Sequence, residues 1–296
     1  MTRRLPAAWW LLLPALTLIT VFFLVPVGAA FLLSLTDFDV YGIAHRDTVR
    51  VVGLANYERL LADPRFWTAL RNTLVFVLVG GPLAIAVSLG AALAVNARVV
   101  RWPAVFRTML FVPVVTTLVA VAIVWRFLYH PRTGLVAELL TSIGLPPIDW
   151  LGDPRWAMPA IILLSIWKSF GFNMLIFVAG LQSIPERLYE AARLDGAGAW
   201  QRLRYVTLPS LAPTTGFVVV TTTIGGLQLF AEPYVMTQGG PGDSTLSIVL
   251  LMYEEGFRWW NLGYAAAIAF VLFAIIVAVT GAEVGVRKLV ARGRPA

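Results

Sequence analysis

Six apolar runs, each long enough to cross a bilayer as a helix, interrupt this chain near residues 8–35, 69–95, 104–128, 158–181, 211–231 and 262–286. About 20 apolar residues span the hydrocarbon core, and a helix is the open-chain structure that leaves no backbone group unpaired in lipid. The expected fold class is therefore all-α, a polytopic membrane bundle of six transmembrane helices. Composition agrees: 59% of residues are hydrophobic and 13% are charged, against about 25% charged in soluble domains. That excludes a soluble protein. The chain has no cysteine, which removes disulfides, thiolate metal sites and cysteine nucleophiles and leaves the redox compartment open. The first run follows Arg3-Arg4 but is too long for a signal peptide and lacks a convincing cleavage site, so it reads as an uncleaved first helix. A twin-arginine signal is the less favoured reading.

The net charge of +7 does not form a stripe within one folded domain, as nucleic-acid binding would require. Basic residues sit instead at the ends of apolar runs. With six spans both termini share a side. That side holds Arg3, Arg4, Arg98, Arg101, Arg107, Arg187, Arg193, Arg202, Arg204, Arg287, Lys288, Arg292 and Arg294, against Glu186, Glu190, Asp195 and Glu283. The opposite side carries nine arginines and twelve acids. The positive-inside rule makes the first side cytoplasmic.

A conspicuously polar segment on the basic side runs from Pro185 to Pro209. Pro185 suits the first turn of a helix, where its missing N–H is not needed. Gly196 suits the left-handed residue that closes that helix. A second helix, roughly 199–206, is expected to follow before Pro209 stops it. Ala191, Ala192 and Ala197 leave room for another surface to approach, and Trp200, Leu203 and Val206 fall on one helical face. A docking surface explains these choices. The plain alternative is a solvated amphipathic loop.

Glu190-Ala191-Ala192, Asp195-Gly196-Ala197 and Leu208-Pro209 resemble, in register, the EAA loop of binding-protein-dependent ABC importer permeases. Leu203 and Val206 replace the family's usual Phe and Ile and stay apolar. The resemblance implies that Glu190, Ala191, Ala192, Asp195, Gly196, Ala197, Trp200, Leu203, Leu208 and Pro209 couple the chain to an ATPase, with Glu190 pairing with a basic residue there. Two further stretches are similar to sugar-importer permeases. One is Trp167-x-x-x-Gly171-Phe172-Asn173-Met174-Leu175; the other is Thr237-Gln238-Gly239-Gly240-Pro241, typical of the maltose and glycerol-phosphate kind. The similarity runs from about residue 56 to 258.

Polar groups within the spans are few. Lys168 lies about ten residues into the fourth span, where even the lower estimate for a lysine charge is about 3 kcal/mol. It must face the bundle interior, as a pathway lining or in an interhelical ion pair or hydrogen bond; Glu232 is the obvious counter-charge. Gly225 and Gly226 are expected to thin or unwind the fifth span. Gly80, Gly81, Gly90, Gly281 and Gly285 would permit close helix approach. The expected solute path comprises Trp167, Lys168, Phe172, Asn173, Gln228, Glu232 and Tyr234.

No phosphate-binding glycine loop, zincin pair or nucleophile elbow occurs; His45 and His130 sit on separate loops, and a catalytic or metal site is not expected. An intramembrane enzyme fails on this ground. An ion-gradient-driven secondary transporter predicts inverted repeats and poised intramembrane carboxylates, neither of which is evident. The resemblance instead implies a permease subunit of an ATP-driven importer for a sugar, amino sugar or glycerol phosphate, in a bacterial inner membrane. Its core would be MetI-like: a first helix and loop over 1–68, a five-helix core over 69–286 with the coupling loop at 182–210, and a basic tail over 287–296. Implied partners are a second, different permease chain, a pair of ATPase subunits that use ATP and Mg, and an extracytoplasmic solute-binding protein. No cofactor is expected on the chain itself.

Overall fold

In the computed structural model, residues 5–44, 49–97 and 99–292 are described. Among them the chain is helical throughout, apart from connecting turns and one isolated antiparallel bridge between Thr36 and Val51. The helices used below are α1 (Trp9–Ser34), α2 (Ala55–Ala62), α3 (Pro64–Val95), α4 (Pro103–Val115), α5 (Leu118–Leu128), α6 (Leu135–Ser142), α7 (Pro154–Gln182), α8 (Glu186–Leu194), α9 (Ala199–Ser210), α10 (Ala212–Leu227), α11 (Ala231–Met236), α12 (Ile248–Tyr253) and α13 (Leu262–Arg292).

Four helices, α1, α3, α7 and α13, are each long and apolar enough to cross a membrane, and six spans result if each of two bent pairs counts as one. The third expected span is not one straight helix. It breaks into α4 and α5, bent by 93°, because Pro113 ends α4 within two residues and Thr116 and Thr117 are extended. The fifth span is bent by 65° between α9 and α10. Gly225 and Gly226 do not unwind α10, which continues to Leu227. A Cβ on Gly226 would stand 3.0 Å from Val77, so the residue serves close packing.

Proline is accommodated in a recurring way. Pro26, Pro82 and Pro209 each stand two residues after a wide i→i−5 turn, at Thr20–Leu24, Phe76–Gly80 and Leu203–Thr207 respectively. A proline ring collides with the carbonyl four residues back and lacks an N–H. In all three cases that carbonyl belongs to the wide turn, which moves it aside. Pro209 therefore does not stop α9, which runs through it to Ser210.

Two compact units are distinguished: residues 1–66 with 251–275, and residues 67–250 with 276–296. In the first, Asn56 donates to the carbonyls of Ser34 and Thr36, and Ser34 meets the Tyr57 hydroxyl at 2.7 Å. Buried Glu254 and Glu255 are met by Arg65 at 2.8 Å and Arg59 at 3.8 Å. Tyr264 donates to Asp63 at 2.9 Å, with the Arg59 guanidinium 4.0 Å above its ring. Buried carboxylates need such partners.

The second unit is built around α7, which packs most extensively on the second half of α3 and on α4. One core cluster joins Ala92, Val95, Met174, Phe177, Val178 and Leu181 to Leu211 and Val218. Another joins Phe76 and Val121 to Met158, Ile161 and Leu164. Gly171 allows the α4–α7 approach: a Cβ there would run into the Leu110 carbonyl. A Cβ on Gly80 would make only ordinary contact with Ile162, at 3.4 Å, and Gly90, Gly281 and Gly285 face open space within this chain. The close approach expected at those three is not made among the described residues.

Candidate functional site

A cavity of about 570 Å³ opens in the second unit, walled by α3, α7, α10 and the start of α11. It has one cation, Lys168, and one carboxylate, Glu232, among otherwise apolar, hydroxyl and amide side chains. Lys168 lies on the α7 face that looks toward the α4–α5 break. Its Nζ donates to the Val114 carbonyl at 2.9 Å. That carbonyl is in the last turn of α4 and has lost its helical donor where the chain turns extended. A helix C-terminus leaves its last carbonyls free and carries partial negative charge, so a lysine satisfies it twice over.

Glu232 sits in the first turn of α11 and accepts from Ser165 Oγ at 3.1 Å. Lys168 and Glu232 form no ion pair; each charge takes a neutral partner, and the interhelical alternative left open for Lys168 is realised as a hydrogen bond. The two face a common space that remains open to a third party. Asn173 is buried and donates to Thr222 Oγ1 at 3.2 Å, tying α7 to α10. Gln228, the residue that ends α10, is exposed to the cavity.

Lys168, Phe172, Asn173, Gln228 and Glu232 are thus brought together, and two of the expected path residues are not. Trp167, adjacent to Lys168, points around α7 into a separate apolar groove, where its ring lies 5.6 Å from Trp125. Successive residues on a helix are about 100° apart; Ser169, on the other side of Lys168, shares the cavity with it, while Trp167 is turned to the neighbouring groove. Tyr234 stacks on Phe230 at 5.2 Å and stands behind it, while Phe230 itself lines the cavity.

Residues missed by sequence reasoning are Ser165, Ser169, Thr221, Thr222 and Phe230. Ser165 and Phe172 flank Lys168 at i−3 and i+4, so helical spacing alone places them on its face. The run Thr221-Thr222-Thr223 inside an apolar span was a visible polar signal. Phe230 had none. Across α10 from the cavity, Thr223 donates to Glu283 at 2.8 Å.

The Thr237–Pro241 stretch closes on itself. Thr245 Oγ1 donates to the Gly240 carbonyl at 2.9 Å, and Asn72 of α3 donates to the carbonyls of Asp243 and Leu246 at 2.7 and 3.0 Å. Gln238, Gly239, Gly242 and Asp243 all have positive φ. His130 accepts from the Thr133 N–H at 3.2 Å as a turn residue. His45, Arg3, Arg4, Arg98 and Arg294 lie outside the described residues.

The segment after α7 forms two short helices joined at a tight corner. Pro185 precedes α8 as its N-cap rather than lying in its first turn. Gly196 closes α8 at φ 76°, with the Ala197 N–H reaching back to the Ala192 carbonyl at 2.8 Å; left-handed backbone and a six-to-one bond are the usual glycine closure. Asp195 is the C-cap residue. Gly198 opens α9, with the Gln201 side chain accepting from its N–H at 2.7 Å. Tyr189 and Thr207 join the two helices through a 3.0 Å hydroxyl contact.

No side chain of α8 or of Ala199–Arg202 is buried. Leu194, Trp200 and Tyr205 are 89%, 69% and 71% exposed, Leu208 is partly open, and Leu203 and Val206 are half-buried. Glu190, Ala191 and Asp195 are exposed, Ala192, Ala197 and Pro209 half-buried. The Glu190 carboxylate has no partner among the described residues, whereas Glu186 pairs with Arg193 at 3.0 Å. Apolar side chains this exposed, beside an unpaired carboxylate, make a surface rather than a core.

Residues 86–284 match the family described as binding-protein-dependent transport system inner membrane component. Among curated proteins, the chain is 38% identical over 273 residues to the lactose transport system permease protein LacF of Rhizobium radiobacter, covering 90% of this chain and 89% of that one. It is 36% identical to the sulfoquinovosyl glycerol transport system permease protein SmoG of Agrobacterium fabrum, covering 91% and 86%. It is 35% identical to the trehalose/maltose transport system permease protein MalF of Thermococcus litoralis, covering 94% and 92%. Among solved structures, a chain of a bacterial ABC transporter involved in the import of the acidic polysaccharide alginate superposes with a TM-score of 0.80 at 24% identity, over 95% of each chain.

Proposed function

The chain belongs to the family of binding-protein-dependent transport system inner membrane components, and from that premise we propose that it is a permease subunit of an ATP-driven importer for a sugar or sugar-like solute. Relatives named for lactose, trehalose/maltose and sulfoquinovosyl glycerol transport support the solute class. The observation that carries the reading is a pairing of two features: a cavity with opposed, unpaired charges among the spans, and an exposed two-helix segment that continues directly from the cavity helix α7.

The solute enters the cavity beside Lys168, Asn173, Gln228 and Glu232, which offer a cation, an anion and two amides to hydroxyl groups. Phe172 and Phe230 give apolar faces to a sugar ring. Such a site binds by a few placed polar groups in an otherwise apolar wall.

Energy comes from a partner ATPase pair that holds ATP and Mg. Leu194, Trp200 and Tyr205 dock there, with Glu190 meeting a basic residue of that partner. ATP drives transport through its different affinity for two states of the assembly; no chemical step falls to this chain. A second, different permease and a solute-binding protein complete the assembly, with the 186–210 segment and both termini on the cytoplasmic side.

The test is uptake of labelled lactose, trehalose and maltose into vesicles containing the full assembly. Uptake should stop on ATP depletion and persist with a protonophore. Uptake that survives ATP loss and fails with the ion gradient would overturn the reading in favour of a secondary transporter.

A further inference from the structure

Trp167 belongs to a recognisable sequence stretch and yet lies outside the solute cavity. The groove that receives it has a volume of about 400 Å³ and an almost wholly carbon surface, formed by α5, α6, the loop before α7, and α7 itself. Four aromatic rings make one wall. Trp125 meets Tyr129 at 5.3 Å and Trp167 at 5.6 Å, and Tyr129 stacks on Trp150 at 5.4 Å.

The polar atoms of two of these rings are closed off. Tyr129 donates to the Ala160 carbonyl at 3.1 Å inside the protein. Trp150 Nε1 is buried without a hydrogen-bond partner. Neither offers a polar atom to a sugar hydroxyl, and a groove whose surface is almost wholly carbon suits an apolar occupant. The groove's open rim is formed by Leu163 and Trp167 of α7, 47% and 39% exposed, and by Val87 of α3, 45% exposed. These residues lie on helices long and apolar enough to cross a membrane. The groove is therefore continuous with the lipid-facing surface of the spans. Tyr129 and Trp150 lie just outside α5 and α7, where indole and phenol rings concentrate at the meeting of hydrocarbon and headgroup, and Trp167 lies deeper, beside Lys168.

We propose that this groove is a resident phospholipid site, with one acyl chain seated between α6 and the spans α5 and α7. Taking a methylene as about the size of a water's ~30 Å³ share, the volume holds on the order of a dozen chain carbons. An acyl chain leaves an equally apolar bilayer to enter, so the gain is the packing contacts that an empty groove would forfeit. Exposed Arg126, next in sequence to Trp125, reaches only the Val235 carbonyl at 3.4 Å and keeps charge complementary to a lipid phosphate, whereas Arg155, next to Trp156, which packs on Trp150 at 5.3 Å, already stands 4.0 Å from Asp153. The inference rests on membrane insertion alone and stands whatever the transported solute.

The test uses the intact assembly in bilayer nanodiscs containing a phospholipid with a diazirine near the end of one acyl chain, photolysed and mapped by mass spectrometry. Adducts on Val136, Leu163 and Trp167 should exceed those on lipid-exposed Leu78 several-fold. Leu163→Trp should narrow the groove and abolish that excess while leaving Leu78 labelling unchanged. If that variant is not recovered as a monodisperse protein, Val87→Phe takes its place. Labelling no greater than at Leu78, or an excess that persists with the groove filled, would overturn the proposal. So would a benzophenone side chain at Val136 that joins to another protein chain, because a partner subunit would then be the occupant.

Discussion

Lys168 joins two jobs at one atom. Its ammonium caps the broken end of α4 through the Val114 carbonyl and supplies the cavity's cation. Replacing it with leucine removes the mid-span charge and leaves the carbonyl unpaired, two opposing effects of similar size. We expect Lys168→Leu to assemble normally and to change the concentration dependence or maximal rate of uptake; an unchanged uptake curve would leave Lys168 with only its capping role. Gly171 is stricter. A Cβ there runs into the Leu110 carbonyl, and overpacking of this kind costs about 1–3 kcal/mol. Gly171→Ala should therefore lower the thermal midpoint of the purified protein, whereas Gly90→Ala, which faces open space, should not. At Gly196 space is not the constraint, since nothing lies within 4 Å of an added Cβ; its φ of 76° is. A β-branched residue in that conformation costs roughly 1–2 kcal/mol. Gly196→Val should leave membrane insertion intact and reduce solute-stimulated ATP hydrolysis by the assembly, and full coupling in that variant would count against docking through this corner.

At the scale of elements, the loop after α11 is tied to α3 through Asn72 and to itself through Thr245. Asn72 of α3 donates to both the Asp243 and Leu246 carbonyls, and each lost bond costs about 1 kcal/mol, more where the carbonyl stays buried. Asn72→Ala should raise amide hydrogen exchange over residues 237–247 while α7 keeps its protection. Equal exchange in both proteins would show that Thr245 and the glycine turns hold the loop unaided. The same scale explains why α9 runs through Pro209 while α4 ends just after Pro113. One proline follows a wide turn and is absorbed; the other does not, and its helix ends. A proline in a sequence marks a disturbed carbonyl four residues back, but whether the preceding turn widens or the helix stops depends on what packs there. In α4 the neighbour is Gly171 of α7, whose missing side chain lets the broken end come close enough for Lys168 to reach it.

For the molecule as a whole, the arrangement across the membrane makes a direct prediction. Because the chain contains no cysteine, a cysteine introduced at Ala197 and another at Thr133 can be read singly. A membrane-impermeant maleimide should label the first only after cells are opened and the second in intact spheroplasts. The reverse pattern would invert the topology and remove the docking role of the 186–210 segment. Hydropathy determined the all-α class and the positions of the spans, because a helix of about 20 apolar residues satisfies its own backbone in lipid without help from the rest of the chain. The closure at Gly196 was legible for the same reason: a left-handed glycine and its back-bond are local. Tertiary packing decided the rest. It broke the third span, turned Trp167 away from the cavity while keeping Lys168 in it, and separated Lys168 from Glu232. Each of those outcomes depends on which faces meet across helices distant in sequence, and periodicity within one helix carries no information about its neighbour's height or rotation.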